Sequence, residues 1–270
     1  MLACDSALLV GDVHGFIPDL EFVLGAARDR GHPVVIQLGD LGFDPLHNPA
    51  LVHAAATARD RYGVDLWFLD GNHEHHELLR VRAGVGRPLD DSARPPVELT
   101  PGFVYLTRGS RLEIAGRSAL ALGGAISLDR RSRAPGVTWF PEEAQSADDL
   151  AAAITGGPAE ILLAHDAPAG WVVPGTESPP RRPFWREELP VAERHRHRFA
   201  LVLEVARPAL VVHGHYHRAY DLEVTTAHGS LRAVGLDRTR LQYCTASLVD
   251  RDGALDLVRH PTVRDGLASS

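Results

Sequence analysis

The sequence contains no lysine, two cysteines and no long hydrophobic run. Its 28 basic side chains are all arginines, and they face 35 acidic side chains, which gives a net charge of −7 with histidine neutral. This acidity argues against a general nucleic-acid coat, because such proteins neutralise phosphates with a basic surface. Without lysine, any protein cation that contacts a phosphate group must be an arginine or a protonated histidine.

The cysteines and the apolar runs exclude further classes of protein. Cys4 and Cys244 lie far apart in the sequence and form no Cys-x-x-Cys pair. We therefore expect reduced thiols and a cytoplasmic location rather than a disulfide framework. No apolar run approaches the roughly 20 residues that span a bilayer, and the run at residues 7–10 is too short for a secretion signal. We expect no membrane insertion.

Five short apolar runs predict buried strands, because each is rich in Val, Leu or Ile and is bounded by Gly, Asp or His. They are residues 7–10, 34–38, 66–69, 161–164 and 210–212. Apolar residues at helical spacing separate the first three runs, namely Leu20, Val23, Leu24 and Ala27, and then Leu51, Ala54, Ala55 and Ala58. This alternation indicates an α/β fold with largely parallel strand pairing.

The remaining sequence predicts more strands, two helices and two unassigned segments. Strands are expected at 103–107, 111–115 and 118–122, helices at 147–154 and about 191–207, and a second sheet built from 220–225, 230–234, 242–249 and 255–259. The Gly- and Pro-rich segments 82–96 and 167–190 resist assignment, and 167–190 is a candidate lid insertion. We expect residues 1–260 to form a single domain and residues 261–270 to form a flexible tail.

Each of the five predicted strands leads into Asp, Asn or His, which are residue types that can bind metals. These stretches are Gly11-Asp12-Val13-His14-Gly15, Gly39-Asp40, Asp70-Gly71-Asn72-His73-Glu74, His165-Asp166 and His213-Gly214-His215-Tyr216-His217. One Asp or His after a strand is usually a turn residue, but five such stretches together favour a site at the carboxyl ends of the strands. Carboxylate, imidazole and amide ligands without thiolate suit Mn, Fe, Co, Ni or Zn and disfavour a structural zinc site. His215 and His217 alternate in an extended chain, which fits two neighbouring metals better than one.

In this order, from Asp12 to His217, the stretches resemble the motifs of the calcineurin-like metallophosphoesterases. The resemblance implies a four-layer αββα sandwich of two mixed β-sheets flanked by helices. It also implies a dinuclear metal-dependent phosphatase or phosphodiesterase with two divalent ions, Mn²⁺ first and Fe, Ni, Co or Zn as alternatives. By position, one metal would be bound by Asp12, His14 and His217 and the other by Asn72, His165 and His215, with Asp40 bridging the two.

The resemblance further implies in-line attack on phosphorus by a metal-bridging hydroxide, with His73 as the general acid. Many relatives read Gly-Asp-x-x-Asp-Arg-Gly at the second motif, whereas here the second acidic residue, Asp44, falls one position late and the Arg is absent. Asp44 is therefore only a candidate for orienting His73. A member of the eukaryotic Ser/Thr phosphatase branch is disfavoured, and we expect a phosphate ester substrate such as a nucleotide or small phosphometabolite.

Several further residues are weaker candidates for substrate contact, and the sequence does not separate their functional and structural interpretations. Arg130, Arg131 and Arg133 could bind phosphate with paired hydrogen bonds, although charge runs are more often solvated surface. His75 could contact substrate, but His75 and His76 are more simply interpreted as solvent-facing residues at the start of a helix.

Trp171 and Trp185 could stack on a base, cover the site or anchor their own loop. Two alternatives to a small-molecule phosphoesterase remain, a nuclease and a non-catalytic scaffold, and the tryptophans bear on the nuclease. A nuclease would need a basic, aromatic groove, for which Trp171, Trp185 and the loop at Arg130 are the candidates. Nucleic acid is thus a conceivable partner that the acidity does not favour. A non-catalytic metal-binding scaffold is disfavoured, because His73 and all seven expected ligands are present.

Overall fold

The computed structural model describes residues 1–82, 84, 94–178, 180, 182–241 and 243–261. Its strands are β1 (Leu2–Cys4), β2 (Ser6–Val10), β3 (Val34–Leu38), β4 (Asp65–Leu69), β5 (Val97–Thr100), β6 (Phe103–Tyr105), β7 (Arg111–Ile114), β8 (Arg117–Leu122), β9 (Ile161–Ala164), β10 (Leu210–His213), β11 (Tyr220–Thr226), β12 (Gly229–Gly235), β13 (Thr245–Arg251) and β14 (Ala254–His260). Its α-helices are α1 (Ile17–Asp29), α2 (Pro49–Ala56), α3 (Ala58–Tyr62), α4 (His76–Arg82), α5 (Ala147–Thr155) and α6 (Pro183–Ala206), with 3-10 turns at Arg130–Ser132 and Pro141–Glu143.

The strands form two seven-stranded mixed sheets. Sheet 1 has the order β14-β13-β2-β3-β4-β6-β5, and sheet 2 has the order β1-β7-β8-β9-β10-β12-β11. The central strands of each sheet, β2-β3-β4-β6 and β8-β9-β10-β12, are parallel, and antiparallel strands flank them. The predicted mixture of parallel and antiparallel pairing is therefore confirmed.

Alternating side chains on each strand build the layers. In β2, Ala7 and Leu9 belong to the core between the sheets, whereas Leu8 and Val10 pack with α1 and α2 on the outer face. In β9, Leu163 faces the inter-sheet core and Leu162 packs against α5 and α6. Helices thus cover the outer face of each sheet, and the predicted four-layer αββα architecture is confirmed.

The strands that carry the motif residues are divided between the two sheets. Strands β2, β3 and β4 belong to sheet 1, and β9 and β10 belong to sheet 2. Because these strands are parallel within each sheet, each sheet gathers its own motif residues at its carboxyl edge. The two edges meet, and residues from both sheets line one cavity there.

The prediction that the four C-terminal strands form a sheet of their own is wrong. Strands β11 and β12 extend sheet 2 beside β10, while β13 and β14 extend sheet 1 beside β2. The antiparallel register of β13 on β2 runs from Thr245 opposite Val10 to Val249 opposite Ser6. Local patterning indicates strands, but it does not indicate which edge a strand joins.

The prediction for the last helix is wrong at its start. Helix α6 begins at Pro183 and continues through Pro190, so the last part of the candidate lid segment 167–190 is helical. Pro183 occupies the first turn, where a backbone N–H would have no partner within the helix and its absence costs nothing. Pro190, in the interior, removes one helical hydrogen bond. Glu187 and Glu188, one turn before Pro190, form ion pairs that fasten this part of the helix to the 3-10 turn at Arg130–Ser132.

The predicted flexible tail lies outside the described residues from 262 onward, as do residues 83 and 85–93 of the unassigned segment 82–96. In the part of the chain that the structure describes, no helix combines the length and the apolar character needed to cross a bilayer.

Candidate metal centre

The loops after the motif strands hold several histidines and one aspartate in strained backbone conformations. The φ angles of His14, Asp40, His215 and His217 are 52°, 57°, 67° and 51°. This left-handed region is unfavourable for residues other than glycine and concentrates at functional sites. Four of the nine positive-φ residues other than glycine in the described chain thus lie among the predicted ligands.

A first cluster brings together Asp12, His14 and His217. The Nε2 atom of His217 lies 2.9 Å from Oδ2 of Asp12 and 2.9 Å from Nε2 of His14. The buried Asp12 also accepts a hydrogen bond through Oδ1 from the backbone N–H of His215 at 3.0 Å. One ligand atom from each of the three side chains lies within 4.8 Å of the others, so they can hold one metal ion.

A second cluster brings together Asp40, His165 and His215, whose ligand atoms also lie within 4.8 Å of one another. The Oδ1 atom of Asn72 joins them, 3.2 Å from Nε2 of His165. Burial lowers the pKa of His215 to about 4, and the nearby Asp166 carboxylate offsets this only in part. His215 is therefore neutral near pH 7, as a metal-binding imidazole must be.

Asp40 lies between the two clusters. Its Oδ1 lies 3.4 Å from Nε2 of His165 and accepts hydrogen bonds from the backbone N–H groups of Asn72 and His73, both at 2.8 Å. Its Oδ2 lies 3.9 Å from Nδ1 of His14. Burial raises the pKa of Asp40, but the neighbouring His165 and His73 outweigh burial and hold that pKa well below its usual range. Asp40 is thus an anion whose two oxygens face different clusters.

Hydrogen bonds outside the second cluster fix which atoms of its ligands point inward. The Nδ1 of His165 donates to the carbonyl of Leu38 at 2.8 Å, and the amide nitrogen of Asn72 donates to Oγ of Ser127 at 2.9 Å. These contacts leave Nε2 of His165 and Oδ1 of Asn72 facing each other and Asp40, so acceptor atoms converge on one point.

Converging acceptors favour a bound cation, and the carboxylates around His165 act in the same direction. Burial lowers the pKa of His165, but Asp40 and Asp12 outweigh it and raise that pKa to about 10. A proton is therefore retained where a divalent ion would also satisfy the carboxylate, amide and imidazole ligands. This donor set fits a divalent metal ion with mixed oxygen and nitrogen ligation.

Two motif glycines make room for these ligands. A Cβ atom at Gly71 would lie 2.2 Å from Oδ1 of Asp40 and 2.7 Å from Nε2 of His165. A Cβ atom at Gly39, whose φ is +87°, would lie 2.3 Å from Nδ1 of His165. The second cluster can therefore close only because both positions lack a side chain.

Glu74 joins the second and third motif loops, a role that the sequence analysis missed. Its two carboxyl oxygens accept hydrogen bonds from the backbone N–H groups of Gly42 at 3.2 Å and Gly71 at 2.6 Å. Burial, Asp40 and Asp70 together raise the pKa of Glu74 to about 8. Its place at the end of the motif stretch Asp70-Gly71-Asn72-His73-Glu74 is the signal that could have identified it.

His73, the predicted general acid, contacts Arg133 rather than Asp44. A guanidinium N–H of Arg133 donates to Nε2 of His73, and Arg133 is itself held by Asp129 at 2.9 Å. Asp44 instead binds Nδ1 of His47 at 2.8 Å and accepts two backbone N–H groups in its own turn. The prediction that Asp44 orients His73 is not met, because the late position of Asp44 places it in a separate turn.

The other two loop arginines point away from the site. Arg130 and Arg131 form ion pairs at 2.6 and 2.8 Å with the buried Glu188 of α6, and Arg131 also pairs with Glu187. Of the three arginines predicted to contact substrate, the cavity is lined by Arg133 alone.

His75 and His76 are buried, with 5% and 2% of their surface exposed, so the prediction that they face solvent is wrong. The ring of His75 packs 4.6 Å from Phe140, which closes over the start of α4, and His75 does not line the cavity. Its candidate role as a substrate contact therefore has no support from its position.

A cavity of about 670 Å³ opens above both clusters. His14, Asp40, Asn72, His215 and His217 form its floor, and Trp185 of α6 lines its wall. Trp171 lies elsewhere, where its indole N–H donates to the hydroxyl of Tyr220 at 2.8 Å. Of the two tryptophans considered for stacking or for a lid, only Trp185 lines the cavity above the two clusters.

The cavity has a further wall that the sequence analysis missed. Phe16, Asp19, Arg238, Thr239 and Arg240 line it. These residues come from the start of α1 and from the loop between β12 and β13. They lie more than 200 positions apart in the sequence, and no local pattern connects them.

Comparisons with known proteins agree with this geometry. The sequence model of the calcineurin-like phosphoesterases matches residues 6–219. The crystal structure of TT1561 of Thermus thermophilus has a TM-score of 0.55 and 17% identity, covering 95% of this chain and 99% of that chain. A dimetal phosphatase from Danio rerio has a TM-score of 0.52 and 16% identity, covering 96% of each chain. At these identities the two structures support a shared fold alone, and no curated protein matches the chain significantly.

Proposed function

The chain belongs to the calcineurin-like phosphoesterase family of phosphoric ester hydrolases, and we propose that it is a dinuclear metal-dependent phosphatase or phosphodiesterase. The position of Asp40 carries this proposal. Its Oδ1 faces His165 at 3.4 Å and its Oδ2 faces His14 at 3.9 Å, so one carboxylate reaches both ligand clusters at the floor of the cavity. An acidic protein surface does not oppose this function, because bound divalent ions would supply the positive charge at the site.

The residues of the two clusters would hold one ion each. The first set would be Asp12, His14 and His217, the second set would be Asn72, His165 and His215, and Asp40 would contribute to both. When bound, a pair of divalent ions polarises the phosphoryl group and lowers the pKa of water, which supplies the nucleophile. Mn²⁺ is the ion that we propose first, since it accepts this mixture of oxygen and nitrogen ligands.

We propose that Arg133 binds the phosphate group of the ester and that His73 protonates its leaving oxygen. Arg133 is the phosphate ligand, because a charged phosphate oxygen is a better acceptor for a guanidinium than a neutral imidazole nitrogen. A guanidinium N–H of Arg133 donates to Nε2 of His73. Transfer of Arg133 to the phosphate would free that Nε2, which could then take up a proton from solvent. His73 would donate this proton to the leaving oxygen, as general acid catalysis requires.

We also propose, on the grounds given by the sequence, that residues 1–260 act as one cytoplasmic domain. Its substrate would be a small phosphate ester rather than a protein. The branch that acts on phosphoproteins is disfavoured by the missing Arg of the second motif. The net charge of −7 does not favour the nuclease alternative.

The test uses two substrates of the same chromophore. The purified chain, stripped of metal and reconstituted with Mn²⁺, should hydrolyse p-nitrophenyl phosphate or bis-p-nitrophenyl phosphate, and the stripped chain should not.

A second test concerns His73. His73→Ala should slow hydrolysis of an alkyl phosphate by about 10²–10⁴-fold, the usual effect of a general acid. It should slow p-nitrophenyl phosphate much less, because p-nitrophenolate leaves without protonation. Equal losses on both substrates would contradict the role proposed for His73, and no turnover with Mn²⁺, Ni²⁺ or Zn²⁺ would contradict the proposed function.

A further inference from the structure

An aromatic ring is exposed at the mouth of the metal-site cavity. Phe16 immediately precedes α1 and follows the first metal motif, and 51% of its surface is exposed although it lines the cavity. The guanidinium carbon of Arg240 lies 4.3 Å from the centroid of the Phe16 ring, within the range of a cation–π contact. Phe16 and Arg240 therefore form a stacked pair on the cavity wall, which we call the Phe16–Arg240 stack.

The Phe16–Arg240 stack is fixed relative to the metal ligands. Nε of Arg240 donates to the Asp19 carboxylate at 2.9 Å, and the Thr239 hydroxyl donates to Asp19 at 2.8 Å. The backbone N–H of Thr239 in turn donates to the carbonyl of Asp12 at 2.8 Å. Arg240 has a φ of 76°, so its backbone is held in the left-handed region, as often occurs beside functional sites.

A second aromatic residue lines the same cavity from a different element. Trp185 lies in the first turns of α6, which Glu187 and Glu188 fasten to the loop at Arg130 and Arg131. The metal ligands and Arg133 would suffice for a phosphoryl group. A flat apolar ring and a stacked guanidinium give little to an alkyl or sugar phosphate, but they bind the faces of a planar aromatic group.

We propose that the substrate is a nucleotide whose base stacks on the Phe16–Arg240 stack while its phosphate lies over the metal ligands. This inference rests on the proposed phosphoesterase function and names its substrate class. Nucleobases stack on phenyl rings and on guanidinium planes. A free nucleotide is favoured over a nucleic-acid strand, because a net charge of −7 does not favour binding along a polyanionic strand.

The test compares two ligands that differ only in the base. Equilibrium binding of AMP and of ribose 5-phosphate to the Mn²⁺-loaded chain is measured by calorimetry, together with kcat/KM for whichever of the two is hydrolysed. AMP should bind about 5- to 150-fold more tightly, which is the effect of stacking one base on an aromatic side chain. Phe16→Ala should weaken AMP binding to the level of ribose 5-phosphate and leave ribose 5-phosphate binding unchanged. Arg240→Gln should act in the same direction.

Phe22 provides the matched control. It is 50% exposed, it lies six residues further along in α1, and it does not line the cavity. Phe22→Ala should therefore change neither affinity. Equal affinities of the wild-type chain for AMP and ribose 5-phosphate would overturn the inference, as would an AMP preference that survives both Phe16→Ala and Arg240→Gln.

Two further ligands separate a nucleotide from other occupants. If phenyl phosphate binds as much more tightly than ribose 5-phosphate as AMP does, the inference is overturned, because the cavity wall would then bind any aromatic ring. A single-stranded oligoadenylate that binds more tightly per site than AMP would overturn it in favour of nucleic acid. Efficient hydrolysis without any preference for the base would defeat this inference and leave the proposed function intact, whereas no hydrolysis of any ester would defeat the proposed function itself.

Discussion

Arg133 donates a hydrogen bond to Nε2 of His73, the atom from which a general acid would release its proton. Burial lowers the pKa of His73, and the charges of Arg133 and His14 lower it further against the opposing effect of Asp40. These surroundings therefore favour the neutral form of His73. A phosphate that binds Arg133 would move its positive charge away from His73 and so remove one cause of the low pKa of His73.

Replacing Arg133 tests this arrangement. Arg133→Gln should reduce kcat/KM for phosphate esters by about 10- to 150-fold, the usual range for a lost hydrogen bond to a charged group, mainly through a higher KM. Arg131→Gln is the matched control from the same loop. Its guanidinium pairs with Glu187 and Glu188, so kcat/KM should stay within about twofold. Equal losses in the two variants would show that the loop, and not a phosphate contact, is responsible.

Ser127 should tune the affinity of one metal site more than the other. Its hydroxyl accepts a hydrogen bond from the amide nitrogen of Asn72 at 2.9 Å and so keeps the amide oxygen pointing inward. Ser127→Ala should weaken one of two metal-binding steps by about 10- to 100-fold, as the loss of a group that orients a ligand typically does. Ser230→Ala, at a hairpin on the edge of sheet 2, is the control. Titration against a metal chelator resolves the two steps, and unchanged affinities would contradict the role of Ser127.

Gly71 and Gly25 should respond in opposite ways to the same substitution. Gly71→Ala would place a methyl group 2.2 Å from Asp40, so the variant should lose metal binding and activity. Gly25 lies within α1, and apart from the backbone of that helix no atom lies within 4 Å of an added Cβ. Gly25→Ala should therefore retain both and stabilise the fold by up to about 1 kcal/mol. Metal content and urea unfolding measure the two effects. A Gly71→Ala chain with full metal content would contradict the packing of the second cluster.

His76 should make the metal-free chain less stable in acid. Burial lowers its pKa from 6.5 to about 3, with Asp70 opposing and Arg108 adding to the effect. The unfolded state therefore takes up a proton below about pH 6.5 that the native state refuses until about pH 3, and stability falls as the pH falls through this window.

Between pH 7 and pH 5 this single group should lower the free energy of unfolding by about 2 kcal/mol. His76→Gln should remove that share of the pH dependence in urea unfolding. His197→Gln, which removes a 69% exposed imidazole, is the control. An identical pH dependence for wild type and His76→Gln would contradict the buried neutral state of His76.

The sequence predicts those parts of the fold that depend on short, regular patterns. The runs at 34–38 and 161–164 coincide with β3 and β9, and the apolar residues chosen for the first helix are those that α1 buries. The sequence predicts β13 as a strand but not as a partner of β2, because its register depends on residues more than 200 positions away. Helix α6 extends through Pro190 because ion pairs from another loop hold its first turns, and local propensity does not contain that information.

The candidate site divides in the same way. All seven predicted ligands come together because each follows a strand whose end is fixed by the sheet. The roles of side chains on loops are harder to predict. Asp44 turns to His47, and His75 is buried under Phe140, since loop contacts depend on tertiary packing. Glu74, at the end of the third motif stretch, contacts backbone N–H groups, and Ser127 contacts the amide of Asn72. Both roles depend on contacts between loops, which the local sequence does not specify.

The most direct test of a shared dinuclear site is the metal content of the wild-type chain and of Asp40→Asn. After reconstitution with Mn²⁺ and removal of free metal, elemental analysis should find about two ions per wild-type chain, as a two-metal phosphoesterase requires. Asp40→Asn should hold less than about one ion and lose turnover of p-nitrophenyl phosphate, because one carboxylate faces both clusters. A wild-type chain that binds one ion or none, or an Asp40→Asn chain that keeps both ions and near-normal turnover, would contradict the account.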